Sequence, residues 1–100
     1  MDDATGALLE PWAVALHAVK RAGVVSGKRV LVTGGGPIGL LVAMTARAFG
    51  AAPVASSDIL EARRATARRL VADLTLNPAS PDLVEHVHEV AGDGFDVVFE

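Results

Sequence analysis

The sequence contains no cysteine, and only 4% of its 100 residues are aromatic. The lack of cysteine excludes a disulfide framework and a thiolate metal site within the chain. No basic stripe with interleaved aromatic residues is present, and the formal net charge is −3. These features argue against nucleic acid as a partner.

Long hydrophobic runs are also lacking. The longest apolar stretch, residues 37–46, is too short to span a bilayer and is better interpreted as a buried helix. No signal peptide or targeting tail is visible, so we expect a cytoplasmic protein with no membrane partner. Because 51% of the residues are apolar and 21% are charged, the chain should fold as one small domain or as a piece of a larger one.

Helical and strand-like segments alternate along the chain. The pattern predicts helices at 11–21, 37–49, 60–71 and 82–91, and strands at 29–33, 54–57, 74–76 and 96–99. Right-handed crossovers would then build a doubly wound parallel α/β sheet of the Rossmann type, with strand order 3-2-1-4. The fourth strand would be left as an apolar edge, which folded proteins avoid, so the predicted domain is a partial one.

A glycine motif joins the first predicted strand to the second predicted helix. Gly34, Gly36 and Gly39 form G-x-G-x-x-G, with an acidic residue, Asp58, 19 positions beyond the last glycine. In a dinucleotide-binding turn, the first glycine permits the tight turn, the second lets the backbone approach a pyrophosphate, and the third allows close packing of the helix. Pro37 suits the first helical turn, where its missing N–H is not needed. Pro37 and Ile38 complete the predicted cofactor loop.

The predicted cofactor is NAD. Asp58 at the end of the second strand can accept hydrogen bonds from the adenosine ribose, and its charge would repel a 2′-phosphate. Arg63 and Arg64 leave NADP open, because a nearby arginine is what a 2′-phosphate requires.

Three stretches carry a resemblance to a known family. Residues 6–18, with Glu10-Pro11 followed by residues 13–18, resemble the segment that joins the catalytic and cofactor domains of zinc-type medium-chain dehydrogenases. Residues 27–39 resemble the cofactor loop of the family, and residues 95–100 resemble its fourth strand. Within the family, the first stretch is similar to the polyol branch of sorbitol, L-idonate and threonine dehydrogenases.

The resemblance implies hydride transfer from a secondary alcohol, a small alcohol or polyol, to NAD, with a catalytic zinc that polarises the oxygen. It also implies a homo-oligomeric full enzyme whose zinc ligands, usually a cysteine and a histidine–glutamate pair, lie in a preceding domain. Residues 1–26 would then be a linker helix from that absent catalytic domain, and residues 27–100 an incomplete NAD-binding domain. We expect no metal ligands in this chain, an internal start or a fragment at Met1, and no activity of the chain alone.

Two residues acquire candidate roles from the resemblance. Glu10 matches a glutamate that lies near the zinc in the polyol branch, although a carboxylate there could equally serve the start of the first helix. Arg63, five residues after Asp58, matches a position that can contact the adenosine ribose, and its alternative is a solvated helix face.

Two other functional interpretations remain open on the sequence alone. A half-fold of this kind could be a non-catalytic dinucleotide-binding or sensing module. Flavin or S-adenosylmethionine binding is a weaker third interpretation.

Overall fold

The computed structural model describes residues 3–92 and 94–100, with side chains described for residues 11–89, 91–92 and 94–100. Helices and strands alternate through these residues: α1 (Asp3–Arg21), β1 (Val30–Thr33), α2 (Pro37–Ala48), β2 (Val54–Ser57), α3 (Glu61–Leu70), β3 (Leu74–Leu76), α4 (Leu83–Ala91) and β4 (Val97–Phe99). None of the described helices has the length and apolar character needed to cross a membrane.

The four strands form one parallel sheet in the order β3-β2-β1-β4. Val30 of β1 is paired with Val54 of β2 and, on the other side, with Val97 of β4. This arrangement confirms the predicted α/β fold and strand order. The order follows from right-handed crossovers, which carry the chain outward from β1 to β3 and then back across the sheet to β4.

The structure corrects the start of the first helix. We expected it to begin at Pro11, but α1 begins at Asp3 and Pro11 lies in its interior. The residues that precede Pro11 include alanine, leucine and glutamate, which are strong helix formers, and their propensity favours a helix through a proline that removes one hydrogen bond. The other boundaries differ from the predicted ones by no more than one residue, and those of β2 and β3 coincide with them.

The hydrophobic core lies on the face of the sheet that α2 covers. Val42, Ala43 and Ala46 of α2 are buried together with Val30 of β1 and Val54 of β2. On the other side of α2, the helix α1 packs against it and buries its own small residues in the same cluster, namely Ala15 and Val19. The helix α2 therefore lies between the sheet and α1.

An ion pair fastens the start of β1 to the start of β4. The Arg29 guanidinium donates to both carboxylate oxygens of Asp96, at 3.2 and 3.1 Å, and to the carbonyl oxygen of Ala91 at 2.6 Å. The backbone N–H of Arg29 donates to the same carboxylate at 2.9 Å. These bonds lower the pKa of Asp96 to about 2, so the pair is charged throughout the neutral range.

Candidate cofactor-binding site

The turn after β1 has the backbone conformation that the glycine motif predicts. Gly34 has a φ of +91°, a region that residues with a side chain rarely adopt. Its N–H donates to the carbonyl oxygen of Ser57 at 2.7 Å, which ties the turn to the end of β2. The carboxyl ends of β1 and β2 are thus held side by side, at the edge of a parallel sheet where ligands bind.

Gly39 allows the first turn of α2 to lie directly against that loop. A Cβ atom built on Gly39 would lie 2.0 Å from the carbonyl oxygen of Gly34 and 3.7 Å from a methyl group of Val32. No side chain fits at that distance, so the close packing of helix and strand expected at this position is observed.

Gly36 faces open space instead. It is the N-cap of α2, in an extended conformation, and Pro37 follows as the first helical residue. A Cβ on Gly36 would have one neighbour within 4 Å, the Arg63 guanidinium nitrogen Nη1 at 3.9 Å. Ile38, in the same first turn, is 49% exposed. The start of the helix is therefore accessible, with its N–H groups and partial positive charge directed outward.

The Asp58 side chain connects the end of β2 to the glycine loop. It is only 9% exposed, and its two carboxylate oxygens accept hydrogen bonds from Gly35 N–H at 2.9 Å and from Leu60 N–H at 2.8 Å. The bond from Gly35, then that from Leu60, and the charge of Arg63 lower the pKa of Asp58, against the opposing effect of burial. Asp58 is therefore ionised at neutral pH, with its charge placed beside the loop.

Two of the four arginines of α3, Arg63 and Arg64, differ in a way that we did not predict from the sequence. Arg63 is about half exposed and places Nη1 3.6 Å from the Asp58 carboxylate. The side chain of Arg64 is only 13% exposed, donates to the main-chain carbonyl oxygen of Asp58 at 2.7 Å, and pairs with Glu61 at 2.6 Å. Arg63 thus extends over the glycine loop, whereas the Arg64 guanidinium is bound to the main chain of Asp58 and to Glu61. The spacing of Glu61 and Arg64, three residues apart on a helix, is the signal that could have distinguished them.

A groove beneath α4 was also missed from the sequence. It has a volume of about 330 Å³ and an almost entirely apolar lining. Strands, α4 and two connecting segments line the groove: Leu31, Thr33, Ser57 and Leu76 from strands, Leu83 and Val87 from α4, and Pro78 and Phe95 from the connections. Ser57, which lines the groove, is the last residue of β2 and directly precedes Asp58 in the sequence. The four-residue spacing of Leu83 and Val87 could have indicated one wall.

The remaining predicted site residue is Glu10. Its backbone belongs to α1, and its side chain lies outside the described residues, so its proximity to a zinc stays a prediction. Among the described residues, no group of three or more histidine, aspartate or glutamate side chains could hold a metal ion.

The sequence and the fold both match known proteins. A family model described as zinc-binding dehydrogenase matches residues 37–100. D-xylulose reductase A of Aspergillus niger is 38% identical over 100 residues, covering 95% of this chain and 28% of that protein. Sorbitol dehydrogenase of Gallus gallus is 51% identical over 71 residues, covering 71% of this chain and 20% of that protein.

Two crystal structures of related proteins have a fold similar to that of this chain. L-idonate 5-dehydrogenase of Escherichia coli has a TM-score of 0.83 and 38% identity, covering 99% of this chain and 28% of that one. A Sinorhizobium meliloti protein described as a zinc-binding dehydrogenase, solved with NADP bound, has a TM-score of 0.77 and 37% identity, covering 88% of this chain and 27% of that one.

The match covers most of this chain but only part of the length of these relatives. The chain spans about 28% of the length of the relatives that it matches from end to end. The matched part includes the glycine loop, the sheet and the helices described above. The chain therefore belongs to the zinc-binding dehydrogenase family, in its polyol branch.

Proposed function

We propose that this chain is the dinucleotide-binding part of a zinc-dependent alcohol or polyol dehydrogenase and that it binds the adenosine and pyrophosphate groups of NAD. The observation that carries the proposal is the ionised, nearly buried Asp58 carboxylate, hydrogen-bonded to the glycine loop beside the open start of α2. An acidic group and a helix N-terminus at the carboxyl edge of a parallel sheet suit a ribose and a pyrophosphate respectively.

The pyrophosphate would lie at the start of α2. The first-turn N–H groups of the helix lack acceptors within it and favour an anion. Gly36 leaves the space above the loop open to within 3.9 Å of the Arg63 guanidinium, which adds a positive charge at the same place. Pro37 and Ile38 would form the contacting surface of this turn.

The adenosine would lie between Asp58 and the groove under α4. A carboxylate has about four lone-pair sites, and two of those on Asp58 are used by Gly35 and Leu60. The other two can accept ribose hydroxyls, and the negative charge disfavours a 2′-phosphate. The flat adenine ring matches the apolar groove lined by Ser57 and Leu76. The NADP bound to a relative makes NADP the competing cofactor, with Arg63 as its counter-ion.

The activity of the whole protein is proposed from its relatives. A zinc ion in the full enzyme would polarise the oxygen of a secondary alcohol while hydride passes to the nicotinamide. No zinc ligand is assigned to the described residues, and Glu10 stays our candidate for a carboxylate near the metal. The domain boundary at residues 26 and 27, the homo-oligomeric state and the cytoplasmic location also stay predictions.

Calorimetric titration of the purified chain with NADH, and in parallel with NADPH, tests the proposed function. We expect saturable NADH binding, weaker NADPH binding, and a loss of that preference in Asp58→Ala. Glu89→Ala is the matched control, because it removes one negative charge from an exposed position on α4. A folded chain that binds neither cofactor, or one whose preference is the same in Asp58→Ala, would refute the proposal.

A further inference from the structure

Asp58 is held both by the hydrogen bonds of its carboxylate and by the hydrogen bonds of its main chain. The main-chain N–H of Asp58 donates to the carbonyl oxygen of Leu76 at 3.0 Å, which continues the sheet. Its main-chain carbonyl, at the point where the chain leaves the sheet for α3, accepts the 2.7 Å bond from Arg64. The orientation of the peptide unit after Asp58 therefore depends on a side chain six residues further along the chain, on α3.

Arg64 is itself well anchored. Its side chain is 13% exposed, whereas that of Arg63 is 51% exposed. One guanidinium nitrogen is bonded to Asp58 and the other to the exposed carboxylate of Glu61. A planar guanidinium with both ends engaged has little freedom to rotate toward a ligand. Arg64 is thus placed to hold the turn and not to contact the cofactor.

We propose that Arg64 is a positioning residue for cofactor binding: its bond to the Asp58 carbonyl fixes the turn from which the Asp58 carboxylate reaches both the glycine loop and the ribose. This inference rests on the proposed function, since it concerns the affinity for NAD. The carboxylate accepts from two different segments, Gly35 of the glycine loop and Leu60 of the turn itself, so a change in the backbone angle at Asp58 would disturb both bonds.

The expected consequence is a change in cofactor preference and not a uniform loss. Without the Arg64 bond the Asp58 carboxylate would be less well directed at the ribose hydroxyls, so NADH binding should weaken about three- to tenfold, the range for the loss of one hydrogen bond. NADPH, whose 2′-phosphate the carboxylate repels, should be affected less. The ratio of the two dissociation constants should therefore shift toward NADPH.

A double-mutant cycle separates positioning from a general loss of structure. Arg64→Met keeps the aliphatic stem and removes the donors, and Arg64→Lys keeps a positive donor that should partly rescue binding. In the Asp58→Ala background, Arg64→Met should have no further effect on NADH affinity, because the carboxylate that it positions is gone. An equal loss for both cofactors, or the same loss in the Asp58→Ala background, would show that Arg64 acts only on overall stability.

A measurement without cofactor keeps this inference distinct from the proposed function. Hydrogen exchange at the Gly35 amide reports how firmly the Asp58 carboxylate is held. We expect exchange about three- to tenfold faster in Arg64→Met than in the parent chain. Arg69→Met, an equal change of charge at an exposed position of α3, should leave it unchanged.

Glu61→Gln is the second control, because it weakens the Glu61 pair but keeps the bond to the Asp58 carbonyl. It should also leave Gly35 exchange unchanged. Equal exchange rates in Arg64→Met and Arg69→Met would overturn the positioning role, whether or not NADH binds. Faster exchange only in Arg64→Met, in a chain that binds no NADH, would support the positioning of Asp58 and refute the proposed function alone.

Discussion

Two glycines of the cofactor-loop motif, Gly36 and Gly39, should lose very different amounts of stability on substitution by alanine. At Gly39 a new Cβ atom would lie 2.0 Å from the Gly34 carbonyl oxygen, whereas ordinary contact begins at 3.4 Å, so the two groups must separate by about 1.4 Å. At Gly36 the nearest atom is the end of a flexible arginine at 3.9 Å, and φ is −72°. Alanine therefore fits at Gly36 and does not fit at Gly39.

Two opposing effects set the change in stability that we expect for Gly39→Ala. Forcing a methyl group into a well-packed site costs about 1–3 kcal/mol, and the present overlap places Gly39→Ala at the upper end. Alanine in a helix is favoured over glycine by about 1 kcal/mol, which offsets part of that cost. We expect Gly39→Ala to lower the free energy of unfolding by about 2 kcal/mol. Gly36→Ala replaces an N-cap glycine by the weaker N-cap alanine and should cost about 0.5–1 kcal/mol.

Urea unfolding followed by far-ultraviolet circular dichroism measures both effects. With a slope of about 1–3 kcal/mol per molar urea, Gly39→Ala should lower the midpoint by about 1 M. Gly36→Ala should unfold within about 0.5 M of the parent midpoint yet bind NADH more weakly, because its methyl group would occupy the space that we propose for the pyrophosphate. Equal midpoints for the parent chain and Gly39→Ala, or a large loss of stability in Gly36→Ala, would refute the reasoning.

Two further predictions concern the sheet and the groove. The folded-state pKa of Asp96, about 2, lies below the ordinary pKa of an aspartate, 3.8, so its contribution to stability is present above the unfolded pKa and is lost as the pH falls toward 2. The unfolding free energy of Asp96→Asn should therefore depend less steeply on pH in that window, and parallel slopes for both chains would contradict this assignment. Val87→Phe should occupy part of the groove of about 330 Å³ and weaken NADH binding about tenfold with little change in stability. Unaltered affinity in a folded Val87→Phe chain would place the adenine elsewhere.

Much of the fold could be predicted because its determinants are local. The boundaries of β2 and β3 are set by turn residues and by Asp58 and Asn77, and the strand order follows from the handedness of the crossovers. The conformation of Gly34 and the close packing at Gly39 follow from the glycine spacing alone.

The features that were missed depend on how elements pack together. Whether Arg63 or Arg64 extends over the loop is decided by the rotation of α3 about its axis, and the sequence carries only an indirect signal of it, the three-residue spacing of Glu61 and Arg64. The groove exists because α4 lies against β3 and leaves a space beside β1, a matter of helix placement. The extension of α1 through Pro11 was missed because a local rule for proline was given more weight than the helix-forming residues before it.

The position of the cofactor tests the account most directly. Titration of the isotopically labelled chain with NADH, followed by amide chemical shifts, would show which residues respond. We predict saturable shifts concentrated at Gly35, Gly36, Ile38 and Leu60, the amides around the Asp58 carboxylate and the start of α2. Shifts confined to α1 or to the outer edge of the sheet, with those four amides unmoved, would contradict a dinucleotide site at the glycine loop.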